Sequence, residues 1–200
     1  MNINSAEQLS AVDFEKSGGL VPVVVQNGTT GEVLMLAYAN EEALRKSLDT
    51  RDLWLFSRSR NALWRKGDTS GNTQRVVSMS LDCDNDSVLV RVDPRGPACH
   101  TGARSCFNDP PTLVALGDVI SQRMVDLSQN SYTVRLLSDA NLRLKKLGEE
   151  AVELAVACND GDKDRAIDEA ADLVYHLMVA CRAVGASIEE ILARVDSRRV

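Results

Sequence analysis

No stretch of about 18 apolar residues occurs in the 200-residue sequence, which excludes a helix long and apolar enough to span a membrane. No long basic tract is present, and the formal net charge is −6. A general affinity for nucleic acid is therefore excluded, although a local basic cluster could still meet a small anionic substrate. The opening segment, MNINSAEQLSAVDFEKSGGL, lacks the basic-then-apolar layout of a secretory signal. Five cysteines are an odd count, three of them sit among aspartates and a histidine, and without such a signal metal ligation is expected rather than a disulfide framework, with the cytoplasm as the expected location. Proline is absent from Thr112 onward, which frees that half of the chain for uninterrupted helix. Histidine is scarce, two residues in all, so the position of each carries information.

What is present divides the chain in two. GLVPVVVQ and EVLMLAYA flank NGTTG, the pattern of a hairpin with a Gly-rich loop. NEEALRKSLDT follows as a helix, with Asn40 as N-cap and Glu41 and Glu42 in the favoured first turn. DLWLFSRS, TQRVVSMSLD and DSVLVRVD are enriched in β-branched and aromatic residues and read as strands. FNDPP is a linker, because paired prolines disfavour helix just upstream. Four helical patterns come after it: TLVALGDVISQRMVDLS, DANLRLKKLGEEAVELAVAC, DRAIDEAADLVYHLMVACRAVG and SIEEILARVDSRR. The expectation is two domains, mainly β and then all-α, meeting near residue 110.

Within the first half, SLDCDNDSVLVRVDPRGPACHTGARSC concentrates three alternating aspartates, three cysteines and one of the two histidines. If the aspartates continue a strand, Asp82, Asp84 and Asp86 share one side and Cys83 takes the other. Like charges so close repel unless hydrated or bridged by a cation, and carboxylate oxygens suit Mg²⁺. Thiolates suit Zn²⁺, with Cys99 and Cys106 as companions of Cys83; three thiolates leave one tetrahedral position open, the catalytic pattern. An aspartate-rich turn is usually just solvated, and CHTGARSC alone is not a sharp zinc signature. The combination outweighs those readings, since an ordinary loop has no reason to gather both ligand types. His100 could be a fourth ligand or a general base; the base is preferred. Upstream, SRSRNALWRKGDTSGNTQ offers Arg58, Arg60, Arg65 and Lys66 followed by small residues whose backbone N–H groups can approach an anion. By default the two tryptophans, Trp54 and Trp64, pack at strand ends.

Together, SRSRNALWRKGDTSGNTQ, LDCDND and ACHTGARSCF resemble the phosphoribosyl-AMP cyclohydrolases of histidine biosynthesis, over roughly residues 14–107. The resemblance implies an α+β, mainly antiparallel β domain (1–108) acting as a homodimer. It implies zinc on Cys83, Cys99 and Cys106 drawn from both subunits, and magnesium on Asp82, Asp84 and Asp86. Substrate contacts fall to Arg58, Trp64, Lys66, Ser70 and Gly71, with His100 catalytic. The implied reaction opens the purine ring of phosphoribosyl-AMP between N1 and C6 with zinc-activated water.

In the second half, Glu150 and Glu153 are three residues apart, as are Glu169 and Asp172, so each pair shares a helix face. CNDGDKD supplies the turn that brings the two helices back together. Leu147, Ala151, Leu154 and Cys158 mark an apolar stripe on the first helix, and Ala166, Ala170, Leu173, Leu177 and Val184 one on the second. Four carboxylates bordering one seam would repel without Mg²⁺, and Mg²⁺ so bound commonly holds a polyphosphate too. A solvated acidic face is the commoner meaning of a single E-x-x-E. Against it stand the apolar second helix, read as buried, and Lys145 and Lys146 just before the acids. His176 is read as a packing or supporting residue rather than a ligand. SYTVRLL and KKLGEEAVE…EAADLVYHLMV resemble the phosphoribosyl-ATP pyrophosphatase member of the all-α nucleoside triphosphate pyrophosphohydrolases, over about 112–199. The resemblance implies a helical bundle (112–200) with magnesium on Glu150, Glu153, Glu169 and Asp172. Glu150 and Glu153 are then the catalytic acids, and Lys146 touches the phosphates.

The two implied reactions are consecutive: phosphoribosyl-ATP gives phosphoribosyl-AMP and pyrophosphate, and ring opening follows. Two rivals remain. One is a zinc purine deaminase joined to a nucleotide house-cleaning hydrolase, which leaves the basic loop without a purpose. The other is a metal-stapled nucleotide sensor, which predicts a closed zinc shell and no product.

Overall fold

The computed structural model of the chain describes residues 1–126 and 130–198. It separates into two compact units, Met1–Pro111 and Thr112–Val200. Among the described residues no single helix is long and apolar enough to cross a membrane.

The first unit is built on a five-stranded mixed sheet. Its strands are β1 (Asn2–Ile3), β2 (Val21–Asn27), β3 (Val33–Ala39), β6 (Gln74–Leu81) and β7 (Val88–Pro94), in the order β1-β6-β7-β2-β3. β2 and β3 form the expected hairpin: Asn27 Oδ1 accepts from Thr29 N at 2.9 Å and Thr30 N at 3.0 Å, which shapes its turn. β6 and β7 are a second antiparallel hairpin. The two hairpins join through a parallel pairing of β2 with β7, Val23 opposite Val88 through Asn27 opposite Val92. Alternate residues Val21, Val23 and Val25 of β2 and Val88, Val90 and Val92 of β7 are buried on the core face.

Helix α1 (Glu41–Thr50) begins at Asn40, whose side chain accepts from Ala43 N at 2.9 Å. It packs Ala43 and Leu44 into the core. Ser47, buried beside them, accepts from Trp54 N at 2.8 Å and so fixes the start of a separate hairpin. That hairpin pairs β4 (Trp54–Ser57) with β5 (Ala62–Arg65). Strand β5 lies within the basic segment, so part of the expected anion loop is strand, and the loop proper starts at Lys66.

The second unit contains α2 (Thr112–Val125), α3 (Tyr132–Ser138), α4 (Ala140–Asp160), α5 (Lys163–Ala183) and α6 (Ile188–Asp196). Leu127 and Ser128, expected at the end of the first of these helices, and Arg199, expected at the end of the last, lie outside the described residues. Asp139, Asp162 and Ser187 cap the N-termini of α4, α5 and α6 with side-chain oxygens. Gly161, at φ +71°, ends α4 in the left-handed conformation, and two residues then suffice to reverse the chain into α5. Ile120, Leu136, Met178 and Val179 are the buried core, with Leu116, Leu142, Tyr175 and Ile188 packed around it.

The azimuth of α4 and α5 differs from the sequence expectation. Ala151 and Cys158, read as part of the inward stripe of α4, are exposed, whereas Glu150 and Ala157 are buried. α5 is not enclosed in one chain: Ile167 and Val184 are 57% and 82% exposed. Periodicity identifies an apolar stripe but not which neighbour covers it, and here much of that surface faces outward.

Candidate functional site

In the first unit, the loop after β5 and the loop after β7 are tied together by Arg95 N donating to Thr73 O at 2.9 Å, while Lys66 N donates to Leu53 O, just before β4, at 2.9 Å. The buried Gln74 amide donates to Gly96 O at 3.1 Å. A cleft of about 400 Å³ opens between these loops, lined by Trp64, Lys66 and Ser70 on one side and Cys99 and His100 on the other. Arg60 and Asn72 also line it; Arg60 belongs to the basic cluster, whereas nothing in the pattern marked Asn72. Lys66 is buried and, among the described residues, has no paired carboxylate, which is unusual for a lysine and consistent with an anion partner. Arg58 lies instead with its guanidinium 3.7 Å from the centre of the Tyr38 ring. Gly71 closes the Lys66 loop by donating its N–H to Gly67 O at 2.8 Å.

Gly67 is a requirement of this loop. Its φ is +87°, and a Cβ there would lie 2.4 Å from the backbone of Asn72 and Thr73. Gly67→Ala is expected to destabilise the first unit by roughly 1–3 kcal/mol and to open the cleft. Thermal unfolding and the ring-opening rate, measured on the same preparation, check this; unchanged values for both would show that the loop tolerates a side chain.

The cysteine loop is clamped to the start of β3. Cys106 N donates to Leu34 O at 2.8 Å, and the buried Ser105 hydroxyl donates to Val33 O at 2.8 Å. Arg104 Nε stands 2.7 Å from the carboxylate of the buried Glu32. This clamp places Cys106 near enough to Cys99 for each thiol to shift the other's titration. The Thr101 hydroxyl, 3.1 Å from Cys99 Sγ, holds that thiol below its usual range. Burial pushes Cys106 up, and its neighbour Cys99 adds to the effect. His100 Nδ1 is 3.9 Å from Cys99 Sγ. Cys83 sits on a different turn, 3.9 Å from Asp84 Oδ1. Among the described residues the three thiols do not form one ligand group. One chain thus holds Cys99 and Cys106 on the loop after β7 and Cys83 on the turn between β6 and β7.

The aspartates lie in the turn between β6 and β7, not in a strand. Asn85 at φ +64° reverses the chain, and Asp82 Oδ1 accepts from Asp86 N at 3.1 Å and Ser87 N at 3.2 Å. The turn, rather than strand alternation, gathers Asp82, Asp84 and Asp86 until one oxygen of each lies within 4.8 Å of the others. Lys16 places its ammonium among them, 2.7 Å from Asp84 and in contact with Asp86, and holds both carboxyls below their usual range. A positive charge occupies the place a hard cation would take, and the donor set fits magnesium. Lys16 escaped notice because 68 residues separate it from Asp84.

In the second unit, Glu150, Glu169 and Asp172 bring one oxygen each within 4.8 Å. Glu153 stands beside them: the charge of Glu169, with burial and Glu150 adding, raises its pKa. Glu150 is only 4% exposed. Lys146 Nζ is 2.8 Å from Glu150 Oε1 and 3.3 Å from Glu149 Oε2, and these carboxylates raise the ammonium pKa, Glu150 most. Carboxylates crowded this closely fit a divalent cation.

The comparisons with known proteins cover both units. The family model of phosphoribosyl-AMP cyclohydrolase matches residues 35–108, and that of phosphoribosyl-ATP pyrophosphohydrolase matches residues 113–199. Proteins named histidine biosynthesis bifunctional protein HisIE match almost end to end. That of Thermus thermophilus is 48% identical over 193 residues, 92% of this chain and 90% of its own. That of Bacteroides thetaiotaomicron is 43% identical over 193 residues, 94% and 95% of the two chains. The Escherichia coli protein is 41% identical over 197 residues, 96% and 97%. The chain belongs to this family of bifunctional histidine-biosynthesis enzymes, in which a phosphoribosyl-AMP cyclohydrolase half precedes a phosphoribosyl-ATP pyrophosphohydrolase half.

Proposed function

We propose that residues 112–200, a helical bundle, release pyrophosphate from phosphoribosyl-ATP, and that residues 1–108, an α+β domain of mainly antiparallel sheet, open the purine ring of the resulting phosphoribosyl-AMP. The observation that carries the reading is the cleft that sets the buried Lys66 and the Ser70 loop opposite Cys99 and His100. An anion-binding wall facing a thiol–imidazole wall suits a phosphorylated nucleotide whose base is to be attacked by water. Lys66 and the N–H groups around Ser70 and Gly71 hold phosphate, with Arg58 adding charge, and Trp64 packs against the base. His100 takes a proton from the attacking water and returns it to the departing ring nitrogen.

Zinc would be held by Cys99 and Cys106 with Cys83 of a second copy, supplying a Lewis acid that brings the pKa of water down to about 7. That the three thiols form no single ligand group among the described residues supports that shared arrangement. So does the sheet face away from the core, where Leu36, Val24 and Leu89 stand in register across three strands. A homodimer also accounts for the exposed apolar surface of α4 and α5. Asp82, Asp84 and Asp86 would hold a magnesium ion, displacing the Lys16 ammonium.

In the helical half, Glu150, Glu153, Glu169 and Asp172 would hold magnesium, which supplies charge neutralisation at a triphosphate. Glu150 and Glu153 orient the attacking water, and Lys146 contacts the phosphates. Five free thiols, three of them assigned as ligands, fit a reducing compartment, and the cytoplasm is the proposed location.

The test is to supply the purified chain with phosphoribosyl-ATP, Zn²⁺ and Mg²⁺ and to follow pyrophosphate and ring-opened product together. Both products are expected. Pyrophosphate alone would return the thiols to a structural role; neither product, with both metals bound, would favour a nucleotide-binding module.

A further inference from the structure

His176 is the second histidine of the chain and has no part in the chemistry above. It lies on α5, only 4% exposed, with its Nε2 3.7 Å from Glu150 Oε1. That is the oxygen nearest the Lys146 ammonium, at 2.8 Å. The ring is set by two aromatic neighbours: Tyr175 edge-on at 5.1 Å and Tyr132 edge-on at 5.9 Å between centroids. Tyr175 is in turn fixed by a 2.8 Å hydrogen bond between its hydroxyl and that of Thr133. Nδ1 is buried and, among the described residues, has no hydrogen-bond partner.

These facts select a tautomer. An N–H at Nδ1 would be a buried donor with nothing to accept it, which is costly. An N–H at Nε2 points toward a carboxylate. At 3.7 Å the contact is beyond hydrogen-bond length, because Lys146 already holds Oε1 more closely. Lys146 is also the cation placed to meet the phosphates, and it cannot do both at full strength.

Resting on the pyrophosphohydrolase reading of this half, we propose that His176 is a positioning residue. Its Nε2–H holds Glu150 in place when the Lys146 ammonium turns from Glu150 to the polyphosphate. Without it, the buried Glu150 carboxylate would be left, among the described residues, with no second donor at the moment it is needed.

Glutamine can place its amide N–H near the position of Nε2, whereas asparagine reaches only toward Nδ1; both are polar and smaller than histidine. The measurement is Mn²⁺ affinity, by electron paramagnetic resonance of the free ion, on the full chain carrying Asp84→Asn and Asp86→Asn to silence the other acid cluster. The Mg²⁺ dependence of pyrophosphate release is read alongside. His176→Gln is expected to stay within about threefold of the parent, and His176→Asn to bind about 10–100-fold more weakly. Equal behaviour of the two variants, or helices that melt equally early in both, makes His176 a packing residue and overturns the proposal. A parent chain that releases no pyrophosphate would instead sink the reading of the helical half.

Discussion

Replacing Glu150 by glutamine is expected to slow pyrophosphate release about a thousandfold or more while ring opening of supplied phosphoribosyl-AMP continues at the parental rate. The magnitude follows from the role. A ligated cation provides several kcal/mol of stabilisation to developing phosphoryl charge, and about 1.4 kcal/mol is a factor of ten. Glutamine keeps the shape of the side chain and removes its charge from a cluster in which Glu150, Glu169 and Asp172 converge within 4.8 Å. Stability should not follow activity down. The metal-free cluster is self-repelling, as the upward shift of Glu153 beside Glu169 and Glu150 indicates, so one charge fewer relieves it. Lys146 loses one partner but keeps Glu149 at 3.3 Å. Steady-state rates of the two reactions and a melting curve on one preparation check all three statements. A variant that melts early and loses both activities would mean Glu150 is structural.

Replacing His100 by alanine is expected to leave zinc bound and pyrophosphate release intact while ring opening falls by about 10²–10⁴. His100 is exposed on the wall of the cleft and holds no buried contact, so its removal leaves no cavity and the fold should persist. Its neighbour Cys99 keeps the Thr101 hydroxyl at 3.1 Å, and Cys106 keeps its backbone anchor on Leu34. Zinc content by elemental analysis therefore separates the two roles open to this imidazole. Zinc retained with rate lost identifies the proton acceptor. Zinc lost with the rate identifies a ligand, and a retained rate removes His100 from the chemistry.

The clustering of Asp82, Asp84 and Asp86 and the shared faces of the acids on each helix were legible in the sequence because they are local. Three aspartates within five residues cannot stay far apart once the chain turns, and residues three apart on a helix share a face whatever the helix packs against. The caps at Asn40, Asp139, Asp162 and Ser187 act within one turn and depend on nothing distant. Strands β2, β3, β4, β6 and β7 were legible for the same reason, whereas β1 and β5 were not. The three thiols were grouped by type, but their grouping in space was not legible. Residues 104–106 are clamped to Glu32–Leu34, about seventy residues away, and Cys83 lies on the separate β6–β7 turn.

The sequence by itself determined which residue types gather in short windows, roughly where the longer helices lie, and that strands precede helices. Only the tertiary structure decided the parallel join of β2 to β7, the lysine that sits among the aspartates, the buried face of α4 and the histidine behind Glu150. Covalent spacing constrains neighbours within a turn or two. The rotation of a helix and the partner of a strand are chosen by surfaces contributed from far along the chain, and no local period encodes them.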